Sequence, residues 1–148
     1  MPPLSPKKEK MKSYDIGLAG EESAAIFLEK NGYRIIGRRV RIGSSEIDII
    51  AENDYYTVFA EVKTRRCLPS LTDMKTAPSS AVDSKKQAFL IRAAEEYLRE
   101  HNNGKFFRID IIEVYADPYS DTYRVLEISH TENAVKKTGR FSRQTYQK

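Results

Sequence analysis

Ile47-Asp48-Ile49-Ile50 and, further on, Ala60-Glu61-Val62-Lys63 are two short apolar runs, each interrupted by an acid. A lone buried carboxylate is costly, so each acid needs a partner. Side chains two apart on a strand share a face, so Glu61 and Lys63 point the same way, opposite Ala60 and Val62. Asn53-Asp54 between the runs is a hairpin turn signal, and a hairpin there can set Asp48 beside Glu61. Two adjacent carboxylates resist joint ionisation, and a divalent cation relieves the repulsion. Hard oxygen ligands suit Mg²⁺ or Mn²⁺, and there is no Cys/His set for zinc. Asp48, Glu61 and the Val62 carbonyl are then the candidate metal ligands. Lys63 is the candidate cation that orients a water or stabilises charge on phosphorus. On spacing alone a second reading stands beside this one: a surface hairpin in which Glu61 and Lys63 form a weak ion pair.

Working outward, a helix capped by Ser13 or Asp15 runs through Glu21, Ala24, Ala25, Ile26, Leu28 and Glu29 and stops at Asn31-Gly32. Tyr33 to Ile42 reads as a first strand bent at Gly37, and Gly43-Ser44 turns the chain into the second. Tyr55 to Val62 is the third. Residues 65–82 form a long polar loop. Asp83 or Ser84 caps a second helix with Ala88, Ile91, Ala94 and Leu98 at helical spacing, ended by Asn102-Asn103-Gly104. Phe106–Tyr115 and Tyr123–Ile128 are the last strands. The order α-β-β-β-α-β-β predicts an α/β fold: a central mixed five-stranded sheet flanked by helices.

The 148 residues fit one domain, and 40% hydrophobic with 31% charged residues allows both a core and solubility. The single cysteine, Cys67, excludes an intrachain disulfide and suits a reducing cytoplasm. Neither His101 nor His130 forms a recognisable nucleophile–base motif with it. No apolar run has signal-peptide or membrane-span length, so no membrane partner is expected. The net charge of +4 is concentrated at the ends: residues 1–12 carry four lysines and one glutamate, and residues 133–148 carry five cations and no acid. Basic ends suit phosphate contact and equally suit solvated tails.

A third acid is expected from the first helix. Glu21 and Glu22 point about 100° apart, so only one can face the site, and Glu21 shares a face with Leu28. Gly20-Glu21, Ala24, Leu28, Gly32-Tyr33, Glu46 to Ala51 and Val58 to Arg65 together form an ordered set. With Ala81-Val82, Lys86-Gln87 and Arg108 to Ile112, this set resembles the YraN-like family of bacterial proteins over roughly residues 14–115. That family is similar to archaeal Holliday-junction resolvases in the PD-(D/E)XK nuclease superfamily. The resemblance implies a restriction-endonuclease-like fold with Glu21, Asp48, Glu61 and Lys63 as its site, and it draws attention to Glu46, Lys86 and Gln87. With the charge distribution, the expected organisation is a flexible basic segment 1–12, a nuclease-like domain 13–132 and a basic tail 133–148. The sequence departs from the family pattern at Ser45, where glycine is usual, at Arg39, where asparagine is usual, and at Cys67-Leu68-Pro69-Ser70, which replaces a Gly-Pro-like element.

Arg39, Arg41, Arg65, Arg66 and Lys86 are the candidate nucleic-acid contacts, a basic rim for phosphates; solvated loop charges are the alternative. Most of the nine tyrosines, including Tyr33, Tyr56 and Tyr97, occupy core-like positions rather than stacking positions. Arg108 and Asp110, alternating with isoleucines, read as an ion pair. The leading expectation is a Mg²⁺-dependent endonuclease acting on DNA, including branched DNA, with a possible homodimer. The alternatives are a nucleic-acid-binding module of the same fold with little or no cleavage, and an interaction domain with an incidental acid cluster.

Overall fold

A computed structural model describes residues 11–69 and 82–136. The elements are α1 (Ser13–Lys30), β1 (Arg34–Ile42), β2 (Ser45–Glu52), β3 (Tyr56–Arg65), α2 (Ser84–Glu100), β4 (Phe106–Ala116) and β5 (Val125–Val135). The sheet order is β1-β2-β3-β4-β5. β3 and β4 pair in parallel, and the other neighbours are antiparallel. The parallel pair requires a crossover, and α2 supplies it. The α/β class, the mixed five-stranded sheet and the α-β-β-β-α-β-β order are therefore as the sequence indicates.

Each face of the sheet has its own core. Ala24, Ala25 and Leu28 of α1 pack on Ile49, Ala51, Ala60, Ile112 and Val114. Leu90, Ala93, Ala94 and Leu98 of α2 pack on Ile47, Ile50, Phe59, Ile109 and Ile111. Ile47 and Ile50 belong to one core while Ile49 and Ala51 belong to the other, so the two-residue alternation of β2 is broken at Asp48.

The local signals hold at most boundaries. Asn53 Oδ1 accepts from the Tyr55 and Tyr56 amides, closing the β2–β3 turn. Gly37 sits at a bulge in the β1–β2 ladder, and Gly43 turns with φ +60°. Asp83 caps α2 by accepting from the Lys86 amide at 2.8 Å.

Four readings need correction. α1 begins at Ser13 itself: Lys12 is its N-cap, without a side-chain hydrogen bond, so neither Ser13 nor Asp15 caps it. The buried stripe of α2 is Leu90, Ala93, Ala94 and Leu98, and Ala88 is exposed, off that face of the helix. β3 runs on to Arg65, into the start of the expected loop. β5 starts at Val125 and continues to Val135, which is fully buried and pairs with Ile109. Ordered structure thus passes residue 132. Residues 1–10, most of the expected loop (70–81) and 137–148 lie outside the described residues.

Candidate active site

The β2–β3 ladder ends at Ile49↔Ala60. One step further the register would set Asp48 opposite Glu61, and there the backbone pairing gives way to a side chain. Asp48 Oδ2 accepts from the Val62 amide at 2.8 Å, in the place a strand carbonyl would take. The strands separate at this point, and the gap holds both acids.

Glu61 is only 5% exposed. Its Oε1 lies 3.9 Å from Lys63 Nζ, and its Oε2 lies 4.0 Å from Lys86 Nζ, too far for a hydrogen bond. Oε2 is buried without any hydrogen-bond partner. Burial first, and Asp48 second, push the Glu61 carboxyl up to about 7, against the pull of Lys86 and Lys63. Asp48 is also raised, by burial above all and by Glu21, while the Val62 amide and Lys86 oppose the shift. The contact between the two carboxyls acts in opposite directions on them, raising Glu61 and lowering Asp48.

Glu21 comes close enough for its charge to be felt by Asp48. Gly20 makes this approach possible: a Cβ there would overlap Thr64 Oγ1, so α1 lies directly against β3. The Glu21 carboxylate, however, is taken by Arg39, whose Nε donates to it at 2.8 Å. Arg39 itself has φ +50°, an uncommon backbone state for a residue with a side chain. Among the described residues no group of three or more His, Cys, Asp or Glu side chains is gathered to hold a metal ion. Asp48 and Glu61 come together, and Glu21 stands beside them, ion-paired to Arg39.

The expected basic rim divides. Arg65 Nε donates to Glu113 at 2.9 Å, and Arg66 Nη2 donates to the Ser120 carbonyl at 2.9 Å. Arg66 also lines a cavity of about 340 Å³ together with Glu21, Val62 and Thr64. Arg41 faces a different cavity of about 480 Å³, between β1 and α2, lined by Glu96, Glu100 and His101 and containing none of the site acids. Lys86 belongs to the site itself. Sequence reasoning could not place it there, nor give Gly20 its role, because both depend on how close a helix comes to β3. Glu46 is exposed, and Gln87 Nε2 donates to the Val82 carbonyl, steadying the entry to α2.

A second polar cluster lies on the same sheet. Asp110 is fully buried and receives Arg108 Nε and Nη2 at 3.0 and 2.8 Å and the Asn133 amide at 2.8 Å, with His130 Nε2 at 2.7 Å. Arg108 also donates to Tyr33 Oη at 2.6 Å. This is the ion pair the alternating pattern indicated.

A protein-family model described as "Uncharacterised protein family UPF0102" matches residues 20–114. A UPF0102 protein of Caldicellulosiruptor saccharolyticus is 38% identical over 125 residues, covering 84% of this chain and 99% of the relative. Another, from Symbiobacterium thermophilum, is 45% identical over 104 residues, covering 70% and 84%. Among solved structures, Pyrococcus furiosus SfsA in complex with Ca²⁺ aligns at 18% identity over 77% of this chain and 63% of that one, with a TM-score of 0.32, too low to support an argument.

Proposed function

The chain belongs to the UPF0102 family, and from the geometry of its site we propose that it is a metal-dependent endonuclease of the PD-(D/E)XK type acting on DNA, including branched or junction DNA. The observation that carries this reading is Glu61 Oε2: a buried carboxylate oxygen without a hydrogen-bond partner, beside a second carboxylate. Such an atom is costly unless something else satisfies it. The donor set of two carboxylates and the Val62 carbonyl is all oxygen, which fits Mg²⁺ or Mn²⁺. When bound, the ion would polarise the phosphate and lower the pKa of a water.

The chain's own residues supply the rest. Asp48 and Glu61, in their deprotonated forms, would be the ligands that hold the ion. Lys63, two residues on along β3, faces the same opening and stabilises charge on the phosphate. Arg39 and Arg66 hold backbone phosphates from the α1 side, where their present partners are a carboxylate and a carbonyl. A junction presents two equivalent strands, so a twofold dimer fits this substrate, and a DNA substrate places the protein in the cytoplasm. Among the described residues no helix is long and apolar enough to cross a membrane.

The test is single-turnover cleavage of duplex, single-stranded, flap and four-way-junction DNA with Mg²⁺ or Mn²⁺, run beside binding. Lys63→Ala is expected to lower the rate roughly 10²–10³-fold while affinity barely changes. If the parent protein binds DNA but yields no product that Lys63→Ala abolishes, the second reading, a binding module with the nuclease fold, replaces the first.

A further inference from the structure

We propose that Lys86 is a substrate-contacting residue of this site, holding the phosphate together with Lys63. The proposal rests on the nuclease reading for the nature of the substrate, but its test does not require cleavage.

Lys63 and Lys86 flank one carboxylate from two different elements, at 3.9 and 4.0 Å from its two oxygens. If Lys86 were there to neutralise Glu61, its ammonium would close to the usual charged hydrogen-bond distance of about 2.8 Å. It stops short and leaves Oε2 unpartnered. Its side chain is 36% exposed, so solvent, or a ligand, reaches it beside the buried carboxylate. A lysine 4.0 Å from a candidate metal ligand is placed to meet what the metal would hold, a non-bridging phosphate oxygen.

Its placement is rigid. Asp83 caps the amide of Lys86 itself, Gln87 holds the Val82 carbonyl, and Leu90, Ala93 and Ala94 fix α2 against the sheet. Lys86 lies in the first turn of a 17-residue helix, where the backbone dipole adds positive potential for an anion. The buried, unpartnered Glu61 oxygen facing that turn is the independent sign that a ligand completes the site. Lys85 is the control provided by the chain. It carries the same charge one residue away, but its ammonium lies over the Phe89 ring, 5.9 Å from the centroid.

The experiment measures binding of a four-way junction to the parent protein, Lys86→Ala and Lys85→Ala, with and without Ca²⁺, across a salt series. Without Ca²⁺ the two variants should lose affinity equally, by a few-fold, as expected for one charge in a broad interface. With Ca²⁺, Lys86→Ala should lose about tenfold more than Lys85→Ala, and its salt slope should fall by about one. Equal losses for the two variants in Ca²⁺, or a parent protein whose binding ignores Ca²⁺, would overturn the proposal. A Ca²⁺-dependent difference with no product in Mg²⁺ leaves Lys86 in place and removes the nuclease; product with equal losses does the reverse.

Discussion

Glu61 and Asp110 sit one rung apart on the same pair of parallel strands: Ala60 faces Asp110, and Glu61 faces Ile111. Both are buried carboxylates, yet they are treated in opposite ways. Burial alone would raise Asp110, but hydrogen bonds from His130, Arg108 and the Asn133 amide hold it below the usual carboxylate range. Glu61 has two lysines within about 4 Å, no closed hydrogen bond to either, and is pushed up to about 7. A satisfied buried charge reads as architecture, because its partners are already in place. An unsatisfied one beside a like charge reads as a site, because the partner has yet to arrive.

The sharpest way to break this contrast is to damage the satisfied cluster. Arg108→Met leaves Asp110 buried without its two-pronged arginine partner and should cost about 3–5 kcal/mol of stability, measured by denaturant unfolding. The loss should appear at neutral pH with the Asp48–Glu61 site untouched. A loss under 1 kcal/mol would mean that the Asp110 cluster is not the structural one.

The next test is pH. Glu61 is raised from 4.5 to about 7, so the native state binds its proton more tightly than the unfolded chain does. Its contribution is fully present below the unfolded value and is lost as pH rises through about 7. The corresponding penalty above pH 7 is on the order of 3 kcal/mol. Glu61→Gln removes it, so the variant should gain on the parent protein between pH 5 and pH 8. Asp110 works in the opposite direction: its depressed pKa gives stability above the unfolded value that is lost as pH falls. Parallel stability curves for the parent and Glu61→Gln across that range would show that Glu61 carries no such shift.

The smallest effect concerns metal. Without metal, Asp48→Asn should keep or raise the melting temperature, because it removes carboxylate repulsion. Mg²⁺ at a hundred times its dissociation constant should stabilise the parent by about 2.7 kcal/mol and the variant by less. Equal responses in thermal melts would remove Asp48 from the ligand set.

How much of this the sequence discloses depends on the range of each interaction. Asp48 and Glu61 were legible because an acid in an apolar strand is conspicuous and Asn53-Asp54 fixes the turn between them. Asp83 and Gly43 were legible because caps and turns are local. Lys86 was singled out, but its position at Glu61 was not derivable: it reaches the site across the α2 crossover, and no spacing rule spans that distance. Arg39 read as a rim charge, yet it is folded onto Glu21 by a left-handed backbone. The end of β5 was missed because Ser129 to Asn133 reads as polar, while in the sheet His130 and the Asn133 amide are the partners of Asp110.

The sheet joins pairings of very different sequence span. β1, β2 and β3 form a meander of short-range contacts, whereas β3 meets β4 only through partners such as Glu61 and Ile111, fifty residues apart. Local hairpins close in microseconds, and long-range parallel pairing waits for its loop entropy to be repaid. The meander alone is enough to bring Asp48 beside Glu61, at a time when water still screens their charges. Docking of α2 and β4 then seals the pair and delivers Lys86. On that order of events the acids would be assembled early, while the chain is soft, and would feel their mutual repulsion fully only when the enclosing structure closes over them.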